Sequence, residues 1–290
     1  MTHIYNPTLQ AGLTSSSTVQ TTISPITGEP IIERPLLGSL AEVDAKLAAA
    51  DEAYRSWRKV PLEERIRIVT AAVDLLVSEK AALGAEITTQ MGRPVRYGGG
   101  EIGGFEERAR WLIANAEKAL ADESVDEGRP EGLKRVIRRA PVGVCLLVGA
   151  WNFPYLIQIN ALLPALLAGN TVILKPSPQT PISSERIAHA LVQAGLPANV
   201  CQVVHLTPDQ MDHVVAHPTT KFVSFTGSVD NGKRVDATAA AAGTFKSVGL
   251  ELGGKDAAYV REGEWRQTIQ GRAGPGARAE AVRGCEADLV

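Results

Sequence analysis

The chain has 290 residues, 44% of them hydrophobic and 21% charged, with a net charge of -2; that is apolar material for one large domain or two ordinary ones, and it sets disorder aside. Lysines and arginines are interspersed with acids rather than blocked, so no basic face is offered to nucleic acid or to an anionic membrane surface. Three cysteines far apart, Cys145, Cys201 and Cys285, supply neither a disulfide framework nor a zinc spacing and suit a reducing, cytoplasmic compartment.

Residues 1–24 are rich in serine and threonine, lack a signal core or transit-peptide arginines, and read as a flexible arm. Residues 25–125 read as a hairpin and helices. Extended runs flank Thr27-Gly28, a turn pair. Ser39 with Glu42 makes a capping box for a helix that aligns Val43, Leu47, Ala50, Tyr54 and Trp57 and ends before Pro61. Pro61 opens a second helix, with Ile66, Val69, Val73, Leu76 and Val77 in helical spacing to about Leu83. A third helix follows from Tyr97 despite five glycines near its start, each about 1 kcal/mol worse than alanine; close helix packing explains them better than ligand contact. Residues 126–140 are charged and turn-rich, then alternating, the pattern of a protruding β-ribbon of the oligomerisation type.

Across 141–255 the pattern becomes a regular beat. Apolar runs at Val142 to Val148, Val172 to Leu174, Val200 to Val204, Phe222 to Phe225 and Phe245 to Leu250 are separated by helical stretches at 155–168, 181–194, 208–216 and 229–242. Strands alternating with helices call for a parallel sheet with right-handed crossovers, a doubly wound, Rossmann-like α/β domain. Ala140 to Leu174 carries no charge, but Pro141, Pro154 and Pro164 cut it below the roughly 20 residues of a bilayer helix, so no membrane span is expected. From Gly263 the chain turns to Gly, Ala and Arg. Residues 256–290 are expected to be the remnant of a truncated second domain and a divergent, disordered tail.

Candidate functional residues sit at the predicted strand ends, where open α/β sheets bind ligands. Asn152 either satisfies loop backbone before Pro154 or faces a ligand. Lys175 is either solvated or reaches a ribose hydroxyl or a 2′-phosphate. Gly227, Ser228 and Gly232 open a helix whose amides can meet a pyrophosphate, although Ser228 also reads as an ordinary N-cap. Glu251 is a strand-end carboxylate followed by Gly253 and Gly254, which let other groups approach closely.

Four motifs occur in order: Ala150-Trp151-Asn152-Phe153-Pro154, Lys175-Pro176-Ser177-Pro178-Gln179-Thr180-Pro181, Phe225-Thr226-Gly227-Ser228 through Gly232-Lys233, and Leu250-Glu251-Leu252-Gly253-Gly254-Lys255. Together they closely resemble the aldehyde dehydrogenase superfamily, back through the N-terminal helices and forward to about Arg261. The resemblance implies oxidation of an aldehyde to a carboxylic acid with NAD or NADP. It casts the Asn152 amide as oxyanion donor and Glu251 as the general base that activates water. It assigns cofactor contacts to Trp151, Lys175, Ser177, Phe225, Gly227, Ser228, Gly232 and Leu252. Pro178 stands where the family usually has a ribose-binding Glu, which opens the choice between NAD and NADP.

The family's nucleophilic cysteine lies beyond the Glu251 motif. Cys285, in Arg283-Gly284-Cys285-Glu286, has none of the expected setting, and Cys145 and Cys201 lie within predicted buried strands. The expectation is a C-terminally truncated homologue, inactive as it stands, with the change after Glu262 pointing to a frameshift, an unspliced segment or a truncated gene. An aldehyde would be its substrate only if a second domain completed it. The rival is a non-catalytic dinucleotide-binding or assembly protein that forms homo- or hetero-oligomers with family members through its ribbon. A third expectation is misfolding, since a missing domain leaves apolar surface uncovered.

Overall fold

β-Branched residues in Val19–Ile23 and Pro30–Pro35 form strands β1 and β2, an antiparallel hairpin whose connection includes Gly28 at φ 75. The computed structural model describes residues 18–125 and 135–254. The chain divides into two compact units, Met1–Leu252 and Gly253–Val290; of the second, only Gly253 and Gly254 are among the described residues. Strand β1 shortens the expected 1–24 arm, because its alternating, β-branched Val-Gln-Thr-Thr-Ile pairs with β2 and buries Thr22, whose hydroxyl donates to the Pro178 carbonyl at 2.7 Å. The hairpin is pinned by a buried ion pair. Arg34 donates from Nε and Nη2 to the two carboxylate oxygens of Glu185 at 2.7 and 2.8 Å, and His205 Nε2 lies 3.1 Å from the same carboxylate.

Helix α1 (Leu40–Trp57) starts at Ser39, whose Oγ accepts from Glu42 N at 3.3 Å. The Glu42 carboxylate reaches one residue further back than a capping box and accepts from Gly38 N at 3.0 Å. The helix expected to run to Leu83 is two helices, α2 (Leu62–Ser78) and α3 (Lys80–Met91). At their junction the Ser78 hydroxyl donates to Leu75 O at 2.6 Å, local back-bonding of a kind that bends helices. α4 (Val95–Ala114) and the short α5 (Ala116–Leu120) follow.

Gly84 of α3 and Gly98 of α4 touch through their backbones: a Cβ on Gly98 would lie 2.4 Å from Gly84 O. Alanine at position 98 gains up to about 1 kcal/mol of helix propensity, but the clash is with main chain and has no flexible group to yield. We expect Gly98→Ala to destabilise by about 1–3 kcal/mol, whereas Gly100→Ala, with nothing within 4 Å of its Cβ, is neutral or stabilising. Urea unfolding of the two variants checks this, and equal midpoints would reject it.

The ribbon consists of β3 (Glu123–Ser124) paired antiparallel with β4 (Val136–Ile137). It begins before the expected 126–140, because Asp122 and Glu123 form ion pairs with Arg138 and Arg139 across it. Residues 126–134 of that expectation lie outside the described residues.

The core strands are β5 (Val144–Val148), β6 (Thr171–Lys175), β7 (Cys201–Val203), β8 (Thr220–Gly227) and β9 (Ser247–Leu252), interleaved with α6 (Leu156–Ala168), α7 (Pro181–Gln193), α8 (Pro208–Ala216) and α9 (Val229–Ala241). They form a five-stranded sheet, all pairs parallel, in the order β7-β6-β5-β8-β9. This is the doubly wound α/β architecture expected from the sequence. Side-chain alternation sends Val144, Leu146 and Val148 into a cluster with α1, α8 and α9, and Cys145 and Leu147 into one with α2, α4, α6 and α7. The last strand starts two residues later than its apolar run, since Phe245 is fully exposed at φ 48 and lies in the connection before it. Among the described residues no helix is long and apolar enough to cross a membrane.

Candidate functional site

Because the five strands run parallel, their carboxyl ends share one edge, and the four motifs leave the sheet there. Register places Lys175 beside Val148, Val148 beside Phe225, and Phe225 beside Leu250. That row crosses four strands at about 4.8 Å each. Lys175, Val148 and Phe225 line a groove of about 210 Å³, closed by Leu206 and Met211 and by Val235 of α9. Burial lowers the pKa of the Lys175 ammonium, so an anion or hydrogen-bond acceptor placed beside it would offset the cost of its desolvation.

Several candidates serve the fold where they stand. Ser228 N-caps α9, its Oγ accepting from Asn231 N at 3.4 Å, and Ser177 Oγ accepts from Gln179 N at 3.3 Å in the turn after β6. A Cβ on Gly227 would meet the Phe225 ring at 2.7 Å, and one on Gly232 would lie 2.4 Å from the Leu252 side chain. Gly232 and Leu252 are thus brought together as a close α9–β9 contact.

Glu251 is paired in register with Thr226 and, together with Ser224 and Gly249, opens onto a separate cleft of about 530 Å³ bordered by Ile157 and Asn160 of α6. Lys175 and Glu251 therefore share the sheet edge but face opposite sides of it. Asn152 lies on the loop between β5 and α6, where Trp151 and Phe153 are also exposed.

Sequence reasoning missed the residues that hold this loop. Arg93 Nη2 donates to the Asn152 carbonyl at 2.6 Å, its guanidinium lies 4.4 Å from the Phe153 ring centroid, and its Nη1 donates to Glu101 Oε2 at 2.8 Å. The Glu101 side chain is 0% exposed, and its Oε1 accepts from Tyr155 N at 2.9 Å, capping α6 from a different helix. Burial raises the Glu101 pKa, against the lowering influence of the Tyr155 and Leu156 amides and of Arg93. The signal was legible: Gly98, Glu101, Phe105 and Ala109 share the buried stripe of α4, and a carboxylate on such a stripe requires partners.

The described cysteines are poor nucleophiles, since burial pushes Cys145 and Cys201 up to about 12. Cys285 lies outside the described residues.

A sequence profile described as the aldehyde dehydrogenase family matches residues 13–267. The chain belongs to the aldehyde dehydrogenase family. The match runs a few residues past the limit near Arg261 read from the motifs. Among solved structures, an NAD-dependent aldehyde dehydrogenase from Sinorhizobium meliloti superposes with a TM-score of 0.77 at 31% identity, over 83% of this chain and 48% of that one. An NAD-dependent benzaldehyde dehydrogenase from Corynebacterium glutamicum gives 0.76 at 30%, over 82% and 52%. An NADP-dependent glyceraldehyde-3-phosphate dehydrogenase from Bacillus halodurans, complexed with NADP, gives 0.76 at 30%, over 83% and 50%. The chain thus spans about half the length of the aldehyde dehydrogenases it matches.

Proposed function

We propose that this chain is the dinucleotide-binding portion of an NAD- or NADP-dependent aldehyde dehydrogenase and that, on its own, it binds cofactor without oxidising aldehydes. The observation that supports this most is the row of Lys175, Val148 and Phe225 opening onto one groove at the carboxyl edge of the sheet. The residues suit the ligand: Leu206, Met211 and Phe225 give apolar walls for a flat base, and Lys175 a cation for ribose oxygen or 2′-phosphate. The N-terminus of α9 presents positive dipole charge for a pyrophosphate. Pro178 supplies no carboxylate of its own to repel a 2′-phosphate, which leaves the choice between NAD and NADP open.

When bound, the nicotinamide ring supplies the hydride acceptor that protein side chains lack. Asn152 would donate to the oxygen that gains negative charge as an aldehyde carbonyl is attacked. Glu251 would take a proton from water. The attack itself requires a sulfur nucleophile, and Cys145 and Cys201, at about 12, stay protonated at neutral pH.

Calorimetric titration of NAD and NADP into the purified chain tests the reading. Binding is expected, weakened about tenfold or more by Lys175→Ala, equivalent to about 1.4 kcal/mol, with no aldehyde-dependent formation of reduced cofactor. Absence of binding for both cofactors would remove the proposal. Turnover that disappears in Cys285→Ser would overturn its inactive part. A second reading, assembly with other family members, draws support from Val125, Val136 and Ile137, exposed on the β3–β4 ribbon. Co-purification with a full-length relative, abolished by charged residues at 136 and 137, would favour it.

A further inference from the structure

On the surface formed by α1 and α8, away from the strand-end motifs, Asp44 faces two histidines. His213 lies in the last turn of α8 and His217 is the residue that caps its C-terminus. Their centroids lie 5.6 Å apart with the rings tilted by 55°. Both Nε2 atoms converge on one oxygen, Asp44 Oδ1, at 2.6 Å from His213 and 3.7 Å from His217. The three ligand atoms lie within 4.8 Å of one another. All three side chains are partly exposed, so an ion can reach them without unfolding.

Two imidazole nitrogens and one carboxylate oxygen form a three-ligand set of borderline softness, the donor chemistry that first-row divalent ions such as zinc prefer over calcium or magnesium. We propose that Asp44, His213 and His217 bind a divalent ion of the zinc class, with water completing the shell, and that the bound ion staples α1 to α8. The site is independent of the cofactor groove and of the reading given for it.

The local geometry sets what binding entails. Zinc–nitrogen bonds of about 2.0–2.1 Å require the ion to insert between His213 and Asp44 and displace the proton they share. His217 Nδ1 accepts from Thr219 N at 3.2 Å, so its proton moves from Nε2 to Nδ1 as the metal takes Nε2, and Thr219 N turns to water. The Lys246 ammonium, held by the carbonyls of Val215 and His217, is a neighbouring positive charge. With that cation close by and only three protein ligands, the site suits reversible binding rather than a permanent structural ion.

The test is titration of zinc sulfate into tag-free, chelator-stripped protein. One ion should bind per chain, and the thermal midpoint should rise with zinc concentration, as linkage requires. Asp44→Asn, His213→Gln and His217→Gln should each weaken binding by about tenfold or more, as loss of one of three ligands implies. His189→Gln should leave it unchanged. Zinc-edge X-ray absorption on the wild-type protein, which does not depend on any variant folding, should read two imidazoles. No binding heat, unaltered affinity in the His213→Gln/His217→Gln double variant, or fewer than two imidazoles around the ion would each overturn the proposal.

Discussion

Replacing Glu101 by alanine should lower the free energy of unfolding by about 3–5 kcal/mol, the usual penalty for breaking a buried ion pair from one side. The change leaves the Arg93 guanidinium in a largely buried place without its carboxylate and removes the acceptor of the Tyr155 amide. Glu101→Gln keeps an acceptor for that amide and should be milder, about 1–3 kcal/mol. The sign of the pH effect is unusual for an ion-paired acid. Burial raises the Glu101 pKa above its ordinary 4.5, so the folded state holds the proton more tightly than the unfolded chain. Its contribution is therefore most favourable at low pH and declines as pH rises through the raised value. Urea midpoints for the three proteins in mild acid and at neutral pH decide the matter, with the larger Glu101→Ala deficit expected in acid; a Glu101→Ala protein within about 1 kcal/mol of wild type at both, well below the range for broken buried pairs, would show that the network carries little.

Glu185 should behave in the opposite sense. Burial alone would raise its pKa, but hydrogen bonds from His205 and Arg34, with their charges, outweigh that and leave it lowered. The stability it contributes is present above the unfolded carboxylate value of about 4.3 and is lost as pH falls through the lower folded value. Glu185→Ala should cost about 3–5 kcal/mol at neutral pH, because Arg34 stays charged and buried. The difference from wild type should shrink in acid, where the wild type loses the same interaction. Unfolding curves that stay a constant distance apart from neutral pH to acid would exclude this assignment.

These two carboxylates also mark the limits of what the sequence reveals. The core strands were legible because they are short, mainly apolar runs separated by helical stretches, the pattern of a sheet covered on both faces. Strand β9 was placed two residues early because Phe245 extends the apolar run, whereas its positive φ is a backbone property that hydrophobicity does not report. The junction at Glu79 carries no proline or glycine, only a serine hydroxyl turned onto the preceding backbone. Partners distant in sequence were harder still: Glu101 and Asn152 are joined through Arg93, and Arg34 meets Glu185 across 151 positions. Of the site candidates, Lys175 and Phe225 line one groove, Ser177 holds a local turn, Ser228 caps α9, and the space beside Gly232 is taken by Leu252. A glycine reserved for a phosphate and one reserved for a neighbouring leucine look alike until the neighbour is placed.

The opposed directions of Lys175 and Glu251 dictate the shape of anything that engages both. Such a molecule must be long and must fold over the rim of the sheet, with one end on each side. Either end alone would hold weakly, while a tether between them raises the effective concentration of the second end once the first has docked. For the dinucleotide proposed above, the rim would then select by span, and mononucleotide fragments should compete poorly with the joined molecule even when mixed together.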